Sequence, residues 1–364
     1  MNATTDSRHY TMVGCDLHEN SMLLAIAEDG GEATFATCDN TPAGRQSMLA
    51  LFARRAAEHG TTVHVVYEAS SLGFGLHDEI VAAGWACWVL APSKLPRSVK
   101  QRKIKTDKKD AALLLSVLRG HLLAGNELPA VWVPDRELRD DRMVVRMRLT
   151  IADKMTSAKA QIVSLLKQRG VEQPANVRTR WTRRYVTWLT GLSSSGQQGF
   201  GFCKGLASLL REIAWLKQEE DTLDAAVAAL AETERYARAA RALDALPGVG
   251  LLTAMVFLTE LGEMARFADR RDVAAYLGLV PTSHESGEAN DRKGHITRQG
   301  TGRVRKVLCQ AAWMMVRKDR AMRARFQAIS KRNPNRRKIA IVAVMRHLAI
   351  AMWRCVRSVQ QTAA

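Results

Sequence analysis

No stretch of about 18 uncharged apolar residues occurs in the chain, so no membrane span is expected. The opening residues, MNATTDSRHY, carry no apolar run behind a basic start and do not read as a secretory leader. A cytoplasmic protein is therefore expected. The six cysteines, Cys15, Cys38, Cys87, Cys203, Cys309 and Cys355, show neither CxxC nor Cys/His ligand spacing. That argues against a structural zinc and a disulfide framework, and leaves reduced, mostly packed thiols. No GxxxxGK[ST] phosphate loop is present, so nothing points to ATP-driven chemistry. Acidic residues almost vanish at the C-terminal end, where residues 289–364 hold 19 Lys and Arg against only Asp291 and Asp319. That segment carries +17 of a formal net charge of +18, which implies a polyanionic partner. Anionic lipid competes for that role. The cations are interleaved with Trp313, Phe326 and apolar helical stretches rather than gathered in a juxtamembrane block, which favours nucleic acid.

What is present is a folded chain of more than one domain: 364 residues, 47% hydrophobic and 25% charged. Residues 10–91 alternate β-rich runs (YTMVGCDL, SMLLAIAE, TVHVVYEAS, ACWVLAP) with helix-period runs, and a further helix is expected from about Asp107 to Leu123. This is an α/β sheet beginning with a hairpin, suited to a ribonuclease H or RuvC-like layout over 1–136. From 137 to 235 the pattern becomes helical, with Leu206, Leu209, Ile213, Leu216, Leu223, Val227 and Leu230 recurring at threes and fours. A coiled-coil dimerisation arm and a bundle packed on its own chain both satisfy that spacing. The segment SSSGQQGFG at 193–201 reads as a loop between two such helices. The remainder, 236–364, is expected to be mostly helical. Its LPGVG at 246–250 suits a helix-hairpin-helix turn whose Gly248 and Gly250 let backbone N–H groups hold a phosphate, although other helical connections look the same.

Two carboxylates end apolar strands, Asp16 in VGCDL and Glu68 in VVYEAS, and strand ends converge on one rim of a sheet. Asp107 and Asp110, three apart in KTDKKDAALLL, share a helix face. Four such groups can surround two divalent cations that activate a hydroxyl and stabilise the leaving oxygen of a phosphoryl transfer; hard oxygen donors suit Mg2+, or Mn2+. Any one of these residues alone is more simply a turn cap or a helix-start acid. Together, beside Lys94, Arg97, Lys100, Arg102, Lys103, Lys105, Lys108 and Lys109, they form a site that a phosphate backbone can approach.

The segment LGLVPTSHESGEANDRKGHITRQGTGRVRKVL places a polar glycine-containing loop before a basic helix. A hydroxyl there, with Ser286 the candidate and Ser283 weaker, can serve as a nucleophile assisted by Arg292, Lys293, Arg298, Arg303 and Arg305, with Lys306 adding phosphate-binding charge. A Ser-Gly pair in a loop is otherwise an ordinary turn, and His284 and His295 are candidate proton carriers without further support. A water-using, RuvC-like, structure-specific DNA nuclease would share the acids without needing the serine. A non-catalytic nucleic-acid-binding protein would need only the cations.

Taken in order, VGCDLHEN, YEAS, KTDKKDA, the helical middle, LPGVG and AYLGLVP followed by SG and ITRQG resemble the IS110 insertion-sequence transposases, the DEDD serine recombinases, over most of the chain. The resemblance implies a RuvC-like domain with Asp16, Glu68, Asp107 and Asp110 as its acidic quartet. It also implies a C-terminal transposase domain in which Ser286 forms a phosphoserine link to DNA. It further implies donor and target DNA as partners, a noncoding bridge RNA that pairs with both, and dimers assembling to a tetramer in which one subunit's serine completes another's acidic site. Association with the nucleoid would follow. Where relatives carry a small or polar residue before the Ser-Gly pair, this chain has Glu285.

Overall fold

Strand β1 (Tyr10–Leu17) has five consecutive buried residues, the requirement of a central strand covered on both faces. It pairs antiparallel with β2 (Ser21–Glu28), which pairs with β3 (Thr34–Asp39). On its other side it runs parallel to β4 (Thr62–Glu68), and β4 is parallel to β5 (Ala86–Leu90). The mixed five-stranded sheet has the order β3-β2-β1-β4-β5. These elements belong to a computed structural model describing residues 9–96, 106–284, 292–331 and 333–361. The chain divides into two compact units, Met1–Val133 and Pro134–Ala364.

In the first unit, alternation along each strand sends side chains to opposite faces. Val13, Cys15, Val65 and Tyr67 join the core closed by Met48 and Phe52 of helix α1 (Pro42–His59). That helix begins where the Thr41 hydroxyl accepts from the Gly44 N–H at 3.1 Å, and it stops at Gly60, whose φ of 63° suits glycine. Helix α2 (Gly75–Ala82) adds Leu76 and Ile80 to the same core. Met12 and Val66 face the other way, onto Ala111, Leu114, Leu115 and Leu118 of α3 (Asp107–Ala124). Helix α3 crosses β1 at Gly14, where a Cβ would lie 2.3 Å from the Ala111 carbonyl oxygen and 2.4 Å from the Leu115 nitrogen.

Among its described residues, the second unit is helical apart from a two-stranded ribbon and the connecting turns. Helices α4 (Arg136–Gln168) and α6 (Phe200–Ala231), each about 50 Å long at 1.5 Å per residue, run antiparallel. Val227 and Ala231 pack with Val145 and Leu149, and Phe202 and Leu206 with Ile162 and Leu166. Between them in sequence, α5 (Arg183–Ser194) covers the far end with Tyr185 and Leu189. The glycine-containing loop thus joins α5 to α6. Arg148 ties the long pair together through both oxygens of Asp224, at 2.6 and 3.0 Å.

There follow α7 (Ala237–Asp244), α8 (Leu251–Leu261), α9 (Arg270–Tyr276), the antiparallel strands β6 (Pro281–His284) and β7 (Arg292–Ile296), α10 (Gly302–Lys318), α11 (Arg320–Ser330) and α12 (Arg337–Gln361). Every residue of α8 from Ala254 to Leu261 is buried, Glu260 included. Arg146 of α4 meets the Glu260 carboxylate through two hydrogen bonds of 2.7 and 2.8 Å, and Arg142 donates to the Thr259 carbonyl at 2.5 Å. Arg146→Ala is expected to cost about 2–3 kcal/mol in urea unfolding, because the carboxylate stays buried after its guanidinium is gone. An unchanged midpoint would show that Arg142 alone satisfies it.

Among the described residues, only the helix spanning Pro334–Gln361 is long and apolar enough to cross a membrane. Its Ile341, Val344, Leu348, Met352 and Val356 form core of the second unit, and Trp353 Nε1 donates to the Met264 carbonyl at 3.1 Å.

Candidate metal centre and nucleic-acid surfaces

Cys15 lies beside Tyr67 in the parallel β1–β4 register, so Asp16 and Glu68 are the next residues at the C-terminal ends of neighbouring strands. Alternation from Gly14 and Val66 assigns both to the sheet face that α3 covers. Asp107 and Asp110 occupy the first turn of α3, where the helix dipole favours anions. The close crossing at Gly14 is what brings that turn to the end of β1.

His18 completes the arrangement. Its Nε2 lies 3.1 Å from Asp16 Oδ2 and 3.6 Å from Asp107 Oδ1, and the three groups can offer ligand atoms within 4.8 Å of one another. Burial pushes the Asp16 carboxyl above the usual range; His18 pulls it down, while Asp110 and Asp107 push it further up. Acidic neighbours close enough to raise the proton affinity of Asp16, with an imidazole at the same point, are a donor set suited to a divalent cation. The residues present therefore fit such a metal. Asp107 and His18 are 67% and 50% exposed, which leaves an open rim for a phosphate to enter.

The sequence reading passed over His18. Its signal was the D-x-H spacing, which sets an imidazole one residue beyond the end of β1 and within reach of Asp16.

The basic candidates fall into different surroundings. Lys108 sits over the Phe35 ring at 4.6 Å, and Lys109 is exposed. Gly248, with φ 87°, presses against α10, where a Cβ would come within 2.6 Å of the Ala311 carbonyl oxygen. Gly250 is exposed at the start of α8. Arg305 donates to the carbonyls of Leu277, Gln299 and Gly300 at 3.1–3.2 Å, holding the loop ahead of its own helix. Lys306 pairs with Asp153. Arg298 and Arg303 are exposed. Lys105, Glu285 and Ser286 lie outside the described residues, as do the side chains of Ser283, His284, Arg292 and Lys293.

An α/β unit with clustered carboxylates, followed in sequence by a cation-rich helical unit, suits an enzyme acting on nucleic acid. Comparison with known proteins makes the class specific. Residues 13–170 match the family model DEDD_Tnp_IS110, described as a transposase, and residues 240–327 match one described as the transposase IS116/IS110/IS902 family. A Sinorhizobium fredii (strain NBRC 101917 / NGR234) protein named as transposase y4qE is 30% identical over 99% of this chain and 92% of its own length. Another from the same strain, y4rJ, is 29% identical over 93% of this chain and 89% of its own. The transposase for insertion sequence element IS1533 of Leptospira borgpetersenii is 23% identical over 83% and 84%. The class is DNA transposase, an enzyme. The chain belongs to the IS110 family of insertion-sequence transposases.

Proposed function

We propose that this transposase cuts and rejoins DNA through a phosphoserine formed at Ser286, at a site completed by Asp16, Glu68, Asp107 and Asp110, with His18 as an additional donor beside Asp16. The observation that carries the reading is the convergence of Asp16, His18 and Asp107 on one point of an open rim. Divalent cations held there, Mg2+ or Mn2+, would supply Lewis-acid stabilisation of the oxygens around the scissile phosphorus.

The serine hydroxyl loses its proton and its oxygen bonds to phosphorus, while the bond to the leaving strand breaks and that strand's oxygen takes up a proton. Attack by the hydroxyl of an incoming strand then reverses the exchange and frees the serine. One phosphoester bond replaces another at each step, so no nucleotide hydrolysis is required.

The three-part organisation, 1–136, 137–235 and 236–364, gives each segment a task in this scheme. The first is a RuvC-like catalytic domain of ribonuclease H type. The long helices of the second are the dimerisation arm from which a tetramer assembles. The third presents the serine and, through the Gly248 and Gly250 turn, a helix-hairpin-helix contact to phosphate. Lys105, Lys108, Lys109, Arg292, Lys293, Arg298 and Arg303 would meet the backbone, with Arg305 and Lys306 bracing the same region. A noncoding bridge RNA would select donor and target by base pairing. The protein would act in the cytoplasm at the nucleoid.

The test is incubation with magnesium, the element's noncoding RNA and end-labelled donor DNA, followed by a denaturing gel. The expected result is a covalent protein–DNA adduct that Ser286→Ala abolishes. Cleavage without an adduct, and indifferent to that substitution, would replace this reading with the water-using nuclease.

A further inference from the structure

Arg346, His347 and Arg354 of α12 line an open cleft of about 670 Å³ together with Arg270 and Arg271 of α9 and Arg325 of α11. Arg346 and Arg354 stand about two turns apart on the helix. One turn further on, Arg357 rests over the Trp353 ring at 5.3 Å and borders an adjoining cleft with Arg270 and Arg354. The cations thus form one continuous stripe within the second unit.

Among the described residues, none of Arg270, Arg271, Arg325, Arg346 and Arg354 forms an ion pair with an acidic side chain. The acids at the start of α9 are engaged locally: Asp269 accepts from the backbone of Arg271 and Asp272, and Asp272 accepts from the backbone of Asp269. Like charges gathered around a cleft repel one another until a polyanion enters, and planar guanidinium groups match phosphate oxygens in pairs. His347 shows the local field: burial and then Arg325 and Arg354 lower its proton affinity, against a smaller opposite pull from Asp319, whose carboxylate caps the start of α11.

Among the described residues this cleft offers no indole, phenyl or amide side chain; Trp353, which borders the adjoining cleft with Gln361, is only 5% exposed. Single-stranded nucleic acid is held by open aromatic platforms, which this cleft lacks. Guanidinium groups repeated along one stripe over more than two helical turns match the regular row of phosphates along a duplex backbone.

We propose that this cleft is a track for the phosphate backbone of double-stranded DNA, held by charge and indifferent to sequence. The proposal rests on the reading of the chain as a DNA transposase and assigns a backbone path distinct from residues 292–306.

Fluorescence anisotropy of the full chain against two unrelated DNA duplexes of equal length, over a salt series, tests it. Arg346→Gln with Arg354→Gln is expected to weaken both duplexes alike, by about tenfold, and to make the slope of log affinity against log salt shallower by about 2. The corresponding double lysine variant should recover most of the slope. Arg271→Gln with Arg325→Gln, at exposed positions, should act in the same direction, so a folding defect in the α12 variant would not decide the matter. Unchanged duplex binding in both glutamine variants, or a loss confined to a structured RNA hairpin, would overturn the track. If the wild-type chain bound neither duplex, the assignment of DNA as its partner would fall, and the track with it.

Discussion

Gly14→Val is expected to disrupt the N-terminal unit and, with it, the candidate metal centre. Any Cβ at this position would sit 2.3 Å from the Ala111 carbonyl oxygen and 2.4 Å from the Leu115 nitrogen. Both are backbone atoms of α3, so no change of rotamer relieves the overlap. The helix must withdraw from β1, taking Asp107 and Asp110 away from Asp16. Overpacking against a fixed helix costs about 3 kcal/mol, and more when backbone meets backbone. Urea unfolding followed by circular dichroism reads the stability loss, and calorimetric titration with Mn2+ reads the loss of the site. A valine variant that unfolds with the wild type and keeps its Mn2+ affinity would show that the helix crossing does not assemble the acids.

Asp16→Asn should move stability and activity in opposite directions. The Asp16 carboxyl is raised by burial and by its acidic neighbours, so between the ordinary aspartate value of about 3.9 and its folded value the native chain binds more protons than the unfolded one. In metal-free protein its contribution is therefore neutral in acid and becomes destabilising as pH rises through that window. The asparagine variant escapes this penalty, and its metal-free thermal midpoint at neutral pH should be at or above that of the wild type. Divalent cation at a hundredfold excess over its dissociation constant should stabilise the wild type by about 2.7 kcal/mol and the variant far less. On the proposed mechanism strand cleavage should fall by about 10³-fold or more, since a cation at this site would supply several kcal/mol of transition-state stabilisation. Cleavage at the wild-type rate would remove Asp16 from the site. His18→Ala should weaken Mn2+ binding by about tenfold while leaving the fold intact, and an unaltered titration would confine the imidazole to a hydrogen-bonding role.

Much of the first unit was legible because periodicity is local. Alternation marked the strands that end in Asp16 and Glu68, and the three-residue spacing marked Asp107 and Asp110 as one helix face. His18 was legible in principle from its spacing to Asp16, yet its proximity to Asp107 depends on a helix nearly ninety residues away in sequence. The cations were the least legible. Arg305, Lys306 and Arg354 contribute equally to a charge count, but Arg305 holds three loop carbonyls, Lys306 meets Asp153, and Arg354 opens onto a cleft. The LPGVG turn likewise looked uniform, whereas Gly248 is confined by α10 and Gly250 faces solvent.

By itself the sequence determined the element types, the excess of positive charge toward the C-terminus, the acidic residues that could bind a cation and, through ordered motifs, the family. Each follows from spacing of a few residues or from totals along the chain. Only the tertiary structure decided that β1 lies at the centre of the sheet, that α3 approaches close enough at Gly14 to carry Asp107 to Asp16 and His18, and that Arg270, Arg325 and Arg354 share one cleft. Those placements depend on backbone-to-backbone distances between elements far apart in sequence, a quantity set by packing and absent from any local pattern.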